Sequence, residues 1–114
     1  MKDDRLYLEH ILECIRYVTE FTQQGREAFL SDRKTQDAVL RNLQILGEST
    51  RRLSDPVKNL HPEIDWRPIA ALRNVLVHDY LGLDLYEIWE IVEDDLPALK
   101  PKIEAVLREL GNSA

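Results

Sequence analysis

Apolar residues recur along the chain at the spacing of α-helical faces. The first such face consists of Tyr7, Ile11, Cys14, Ile15, Val18 and Phe21. Gly25 is a stop signal after it, and Ser31 or Asp32 is a good N-cap for the next helix. The stripe of that second helix consists of Val39, Leu43, Leu46 and Leu53, widened by Ala38 and Ile45. The pattern therefore predicts two long amphipathic helices in the first half of the chain.

Prolines and capping residues divide the middle of the chain. Pro56 disfavours helix in the residue before it, and it is well placed to start a short turn or helix that reaches Leu60. Asp65 is the predicted N-cap of a third long helix, in which Pro68 is tolerated in the first turn. We expect this helix to end near Gly82. Its apolar stripe consists of Ile69, Leu72 and Leu76.

The last stretch again has helical periodicity. Asp84 and Glu87 have the spacing of a capping box, although such a box prefers Ser or Thr at the cap. Pro97 and Pro101 predict a kink, or a new helix that begins near Pro97. No strand or hairpin-turn pattern is evident. The apolar positions are Ile88, Ile91, Val92, Leu96, Leu99, Ile103, Val106 and Leu110. The fold prediction is an all-α, up-down bundle of four to five helices.

Composition narrows the class of protein. The chain has 114 residues and a mass of 13.3 kDa, which predicts a single domain over residues 1–114. Its 15 basic and 21 acidic residues give a net charge of −6, which argues against a broad nucleic-acid footprint. Because no long apolar run or secretory signal is evident, we expect a cytoplasmic protein without a membrane span. Known metal-binding motifs, including Glu-x-x-His, are absent from the sequence, so no metal or other cofactor is predicted.

The segment RNVLVHDY, from Arg73 to Tyr80, concentrates polar chemistry at the end of an apolar helix. On a regular helix Asn74 and His78 are one turn apart, whereas Arg73 and His78 are roughly 140° apart. One regular helix would therefore not direct Arg73 and His78 at the same atom. Either the helix ends or distorts near His78, or a second copy of the chain completes the site. The structural alternative is a helix end where the histidine favours the dipole and the tyrosine caps the core.

The arrangement of these residues resembles a known family. RNVLVHDY matches the R-x4-H-x-Y signature of the HepT-like toxins, a branch of the HEPN superfamily. The segment NLQILGESTRRLS (Asn42 to Ser54) resembles the second-helix segment of that family, and DLYEIWEIVEDDLPALK (Asp84 to Lys100) resembles its later helix. The resemblance extends over essentially the whole chain.

The resemblance implies an all-α homodimer with an active cleft across the dimer interface. It implies a metal-independent endoribonuclease that cleaves cellular RNA, in which Arg73 and His78 are catalytic and Asn74 supports them. It also implies a partner, a MntA-like nucleotidyltransferase antitoxin. That partner would transfer AMP from ATP to Tyr80, as in the HepT/MntA type VII toxin–antitoxin systems.

The residue chemistry is compatible with what the resemblance implies. A histidine titrates near neutral pH and suits proton transfer from a 2′-hydroxyl, while Arg73 offers a permanent charge to a phosphate. Glu48 lies in the family-like segment, where it either supports Arg73 or His78 across helices or is an ordinary exposed carboxylate. Two other functions stay open. In the first, the chain is a non-catalytic helical module that serves as partner and substrate of a nucleotidyltransferase. In the second, it is a plain helical adaptor.

Overall fold

Two long helices, α1 (Lys2–Phe21) and α3 (Arg33–Arg51), pack against each other in the computed structural model, which describes residues 2–74 and 84–112. The short helix α2 (Arg26–Ser31) connects them. The other helices are α4 (Asp55–Leu60), α5 (Trp66–Ala71), α6 (Leu85–Glu90) and α7 (Leu96–Asn112). Every regular element in the described part of the chain is helical, which confirms the all-α fold class.

The core lies between α1, α3 and the C-terminal helices. α7 packs against α1, and α5 packs against α3 on another side. The buried stripes agree with the predicted apolar faces, apart from the ends. Phe21 is 44% exposed because α1 ends there, and Ile45 is 37% exposed at the edge of the α3 stripe. The most completely buried large apolar side chains are Leu8, Ile11, Ile15, Val18, Phe29, Val39, Leu43, Leu46, Ile103 and Val106.

Helix α2 is an element that the sequence does not predict. It follows Gly25, whose φ of 95° lies in the left-handed region that glycine adopts without strain. Phe29 fastens this helix to the core, and its ring lies 5.6 Å from that of Trp89 in α6. Six residues are too few to show helical periodicity, which is why the pattern gave no signal.

Side-chain hydrogen bonds fix the chain at both ends of α3, and the predicted cap Asp32 makes one of them. The Asp32 side chain accepts a hydrogen bond from the Lys34 amide at 3.1 Å and so begins α3. Beyond its end, the buried Asp4 carboxylate of α1 accepts hydrogen bonds from the Ser54 amide at 2.8 Å and the Ser54 hydroxyl at 2.7 Å. These contacts bind the start of α1 to the turn between α3 and α4.

The C-terminal helices change their winding just before the first of two prolines. A π-helical segment, Ile91–Asp95, joins α6 to α7, which begins at Leu96 and contains Pro101. Because Pro97 lacks an N–H and its ring crowds the carbonyl four residues earlier, a wider turn accommodates it. The structure thus confirms the prediction of a new helix near Pro97.

The third helix departs from prediction. Its α-helical part, α5, ends at Ala71 and continues as a 3₁₀ turn, Leu72–Asn74, where the sequence predicts a regular α-helix. The rest of that predicted helix, over residues 75–83, lies outside the described residues. None of the described helices combines the length and the apolar character that a membrane crossing requires.

Candidate active-site groove

A groove of about 290 Å³ runs between helix α3 and the 3₁₀ turn that follows α5. We call it the α3 groove. One wall comes from a single face of α3, because its residues recur at intervals of three and four along that helix. The opposite wall comes from the 3₁₀ turn. The lining residues are Arg41, Gln44, Ile45 and Glu48 of α3, with Arg73 and Asn74 of the turn.

Gly47 explains why the turn lies so close to α3. A Cβ atom built on Gly47 would collide with the backbone nitrogen of Arg73, and it would lie 2.8 Å from the carbonyl carbon of Leu72. A side chain at this position is therefore incompatible with the observed packing. The absence of one permits backbone-to-backbone contact, which fixes the height of Arg73 along α3.

The Glu48 carboxylate contacts three arginines. Its Oε1 atom lies 3.1 Å from Arg52 Nε and 3.2 Å from an Arg51 guanidinium nitrogen, both on its own helix. Its Oε2 atom faces the other wall and lies 3.6 Å from Arg73 Nη1. The contact with Arg73 is the cross-helix support that the sequence raised as one of two interpretations of Glu48.

The two arginines on the same helix, Arg51 and Arg52, favour the ionised form of Glu48. The hydrogen bond from Arg51 is the main cause that lowers the pKa of the Glu48 carboxyl below its ordinary value, and Arg52 adds to it against a smaller desolvation effect. At neutral pH the carboxylate is therefore negative and able to hold a cation. Glu48 is 34% exposed and Arg73 is 42% exposed, so the pair is open to a ligand in the groove.

The structure places two of the four predicted site residues. Arg73 and Asn74 are consecutive in the 3₁₀ turn, and both line the α3 groove. His78 and Tyr80 lie outside the described residues, so the angle between Arg73 and His78 stays a prediction. Among the described residues no cluster of His, Cys, Asp and Glu side chains has the form of a metal site.

Two features of the groove were not singled out from the sequence. Arg41 is one basic residue among several on α3, and its spacing of seven from Glu48 places both on one face. Gly47 carried no signal, since a glycine inside a helical pattern has many explanations.

Other candidate chemistry lies in the core rather than in the groove. Cys14 is buried, as predicted, and desolvation with the nearby Glu13 charge raises the pKa of its thiol to about 11. His61 follows α4 and is also buried, with its two ring nitrogens 3.1 Å from Glu63 and 3.5 Å from Glu109. These carboxylate contacts give His61 a structural role.

The fold and the groove together define an all-α protein in which a turn after a helix carries an arginine into a cleft. A family model described as ribonuclease HepT-like matches residues 11–106. The chain therefore belongs to the ribonuclease HepT-like family, and the class of enzyme that this family defines is a ribonuclease. No solved structure matches the chain.

Similar proteins extend over nearly the same length. The chain is 46% identical over 99 residues to "Probable ribonuclease HepT" of Thermococcus cleftensis, with 86% of this chain and 90% of that protein covered. It is 36% identical over 110 residues to "Putative RNase MJ0127" of Methanocaldococcus jannaschii, covering 96% of this chain and 91% of that protein. A third relative from the same archaeon, "Gamma-glutamylcyclotransferase and putative RNase MJ0434", is 37% identical over 113 residues, which span 98% of this chain and 51% of the relative.

Proposed function

We propose that the chain is a metal-independent endoribonuclease and the toxin of a HEPN/MNT toxin–antitoxin pair. Its substrate is cellular RNA, and its active form is a homodimer. A MntA-like nucleotidyltransferase neutralises it by transferring AMP to Tyr80. The observation that carries the proposal is the position of Arg73, which Glu48 holds at the mouth of an open groove directly before the rest of the R-x4-H-x-Y motif.

Arg73 supplies the electrostatic part of the proposed reaction. In metal-free cleavage the 2′-hydroxyl attacks the adjacent phosphorus, and negative charge builds on the phosphate oxygens in the transition state. A guanidinium keeps its charge at every relevant pH and donates in a fork that matches two of those oxygens. Because Glu48 and the backbone contact at Gly47 already fix Arg73, little reorganisation is required when the charge develops.

His78 supplies the proton transfers. As a neutral imidazole it accepts the 2′-hydroxyl proton while the O2′–phosphorus bond forms and the bond to the 5′-oxygen breaks. A proton then goes to the departing 5′-oxygen, which leaves a 2′,3′-cyclic phosphate and a 5′-hydroxyl end. A group with an ordinary pKa near 6.5 is well matched to both tasks at neutral pH. Asn74, next to Arg73 in the turn, is proposed to orient His78 or to donate to a phosphate oxygen.

Modification of Tyr80 is the proposed off-switch. An AMP group on the tyrosine adds bulk and a phosphate charge beside the arginine that is proposed to bind the RNA phosphate. Both effects oppose RNA binding, one sterically and the other electrostatically. The modification consumes ATP and releases pyrophosphate, with the tyrosine oxygen joined to the α-phosphorus.

The test is RNA cleavage by the purified, unmodified chain with EDTA present, beside His78→Ala. His10→Ala is the matched control, because His10 lies on α1 and is not among the lining residues of the groove. We expect wild type and His10→Ala to cleave, and His78→Ala to be inactive. If no protein cleaves total RNA or tRNA, the proposal fails and the non-catalytic partner module becomes the better account.

A further inference from the structure

We propose that the α3 groove is a subsite for the backbone of single-stranded RNA, in which Arg41 binds a phosphate next to the one held by Arg73. The inference rests on the proposed function and extends it to residues outside the R-x4-H-x-Y motif. It follows from the position of Arg41, from the charge around it, and from the chemistry of the side chains between the two arginines.

The two arginines mark the ends of one groove. Arg41 and Glu48 are seven residues apart on α3, which corresponds to about 10 Å along the helix axis. Arg73 lies across the groove from Glu48, at 3.6 Å between Nη1 and Oε2. A chain that has one phosphate at Arg73 and runs along α3 therefore brings a further phosphate towards Arg41.

The positive charge of the Arg41 guanidinium is accessible to an anion in the groove. Arg41 is exposed, and its guanidinium Nη1 donates to the Gln44 side-chain oxygen at 3.4 Å. No ion pair of Arg41 with a carboxylate is found among residues 2–74 and 84–112, whereas Arg51, Arg52 and Arg73 share Glu48. An arginine paired with a neutral amide retains its full charge for an incoming anion.

The groove is locally basic although the chain is acidic. Among the described lining residues, Arg41 and Arg73 stand against the carboxylate of Glu48, which Arg51 and Arg52 also contact, although the whole chain has a net charge of −6. A concentrated basic strip of this kind favours a polyanion and orients it along α3.

The side chains between the arginines suit an RNA backbone. The amides of Gln44 and Asn74 both donate and accept hydrogen bonds, as contacts to phosphate oxygens and 2′-hydroxyls require. Ile45 is 37% exposed and gives an apolar surface against which a ribose or an unstacked base packs. The groove is open and does not enclose a nucleobase, so we expect single strands to bind with little sequence preference.

The experiment measures binding of a short, fluorescently labelled, mixed-sequence single-stranded oligoribonucleotide by anisotropy. All substitutions are made in the unmodified His78→Ala protein, which serves as the parent. This form is proposed to be catalytically inactive, so the RNA stays intact during the measurement. Arg41→Ala is compared with Arg33→Ala, which removes the same charge from the same helix. Arg33 is ion-paired with Asp37 at 3.8 Å in the first turn of α3 and does not line the groove.

We expect Arg41→Ala to weaken binding about tenfold at low salt. The slope of log K against log salt should fall by about 0.7, the value for one phosphate contact on a single strand. Arg33→Ala should leave that slope unchanged, and Arg41→Lys should restore it. Equal effects of Arg41→Ala and Arg33→Ala on RNA binding would overturn the subsite. It would also be overturned if Arg41→Ala binds RNA as well as its parent does but no longer binds the nucleotidyltransferase.

The two proposals fail separately. If the wild type cleaves RNA and binding does not depend on Arg41, the subsite is wrong and the proposed nuclease function stands. If binding depends on Arg41 and neither wild type nor control cleaves any RNA, the subsite stands and the nuclease function is wrong. Circular dichroism of each variant verifies folding, which the exposed position of Arg41 should leave unchanged.

Discussion

Glu48 shows how a single carboxylate can position a positive charge through ion pairs on two sides. Its two carboxylate oxygens have different partners, because Oε1 contacts Arg51 and Arg52 on α3 and Oε2 contacts Arg73 across the groove. The helix arginines hold the carboxylate in place and the carboxylate holds Arg73. We therefore regard Glu48 as a positioning residue for the proposed reaction.

Glu48→Gln should separate positioning from binding. The variant keeps an oxygen that accepts a hydrogen bond and loses the charge, so Arg73 is less well fixed. We expect kcat for RNA cleavage to fall about ten- to a hundredfold. KM should stay the same or decrease, because the groove becomes more positive. Steady-state kinetics on a labelled RNA measures both constants.

Glu20→Gln is the control for Glu48→Gln. Glu20 is an exposed helical carboxylate that pairs with Arg16 at 3.2 Å on α1, away from the groove lining. Glu20→Gln should leave kcat and KM unchanged.

The pKa of Glu48 is lowered, so its carboxylate is lost only as pH falls below the ordinary glutamate range. The pH profile of Glu48→Gln near neutrality should therefore keep the wild-type shape. Equal kcat values for Glu48→Gln and Glu20→Gln would refute the positioning role of Glu48.

At the scale of the element, the 3₁₀ turn after α5 determines where Arg73 lies. Local sequence does not explain this turn, because Leu72, Arg73 and Asn74 are compatible with a regular helix. The cause is tertiary, since the backbone at Arg73 packs on Gly47 of another helix. This is the reason that periodicity predicted the helix correctly up to Ala71 and missed the change of winding.

Gly47→Ala should damage the site through the backbone. In an exposed helix such a change stabilises by up to about 1 kcal/mol, but here the new methyl group collides with Leu72 and Arg73. We expect a net loss of about 1–3 kcal/mol in the free energy of unfolding, typical of overpacking. RNA cleavage should also decrease, because the turn that carries Arg73 is displaced.

Gly111→Ala is the matched control for Gly47→Ala. Gly111 lies near the end of α7, where an added Cβ would meet the far end of the flexible Arg5 side chain at 3.0 Å. It should be neutral or slightly stabilising in a thermal or urea denaturation. If Gly47→Ala is as stable and as active as Gly111→Ala, the close approach does not position Arg73.

For the whole molecule, the all-α class followed from helical periodicity over most of the chain. The cap at Asp84 was located correctly, and Asp32, one of the two candidates with Ser31, is the cap of α3. What periodicity could not supply was any contact between helices. The pairing of Glu48 with Arg73 was one of two open interpretations, and the groove with Arg41 depends on how α5 crosses α3. Packing of this kind is decided by the whole sequence rather than by a window.

The relation between Arg73 and His78 also belongs to the scale of the assembly. A regular helix would separate them by roughly 140°, so a symmetric dimer would let Arg73 of one protomer meet His78 of its partner. We expect light scattering to give twice the chain mass of 13.3 kDa. A monomer at the concentrations used for cleavage would exclude a shared site.

Mixing two inactive variants tests whether the sites are shared. Arg73→Ala and His78→Ala are unfolded together in equal amounts and refolded, so that about half of the dimers contain one copy of each. If each site takes its arginine and histidine from different protomers, every mixed dimer has one intact site, and about a quarter of wild-type cleavage returns. If both residues come from one protomer, no mixed dimer has an intact site and the mixture stays inactive. The control is a protein with both Arg73→Ala and His78→Ala, refolded with wild type. If the sites are shared, its mixed dimers have no intact site. If both residues come from one protomer, each mixed dimer keeps one intact site.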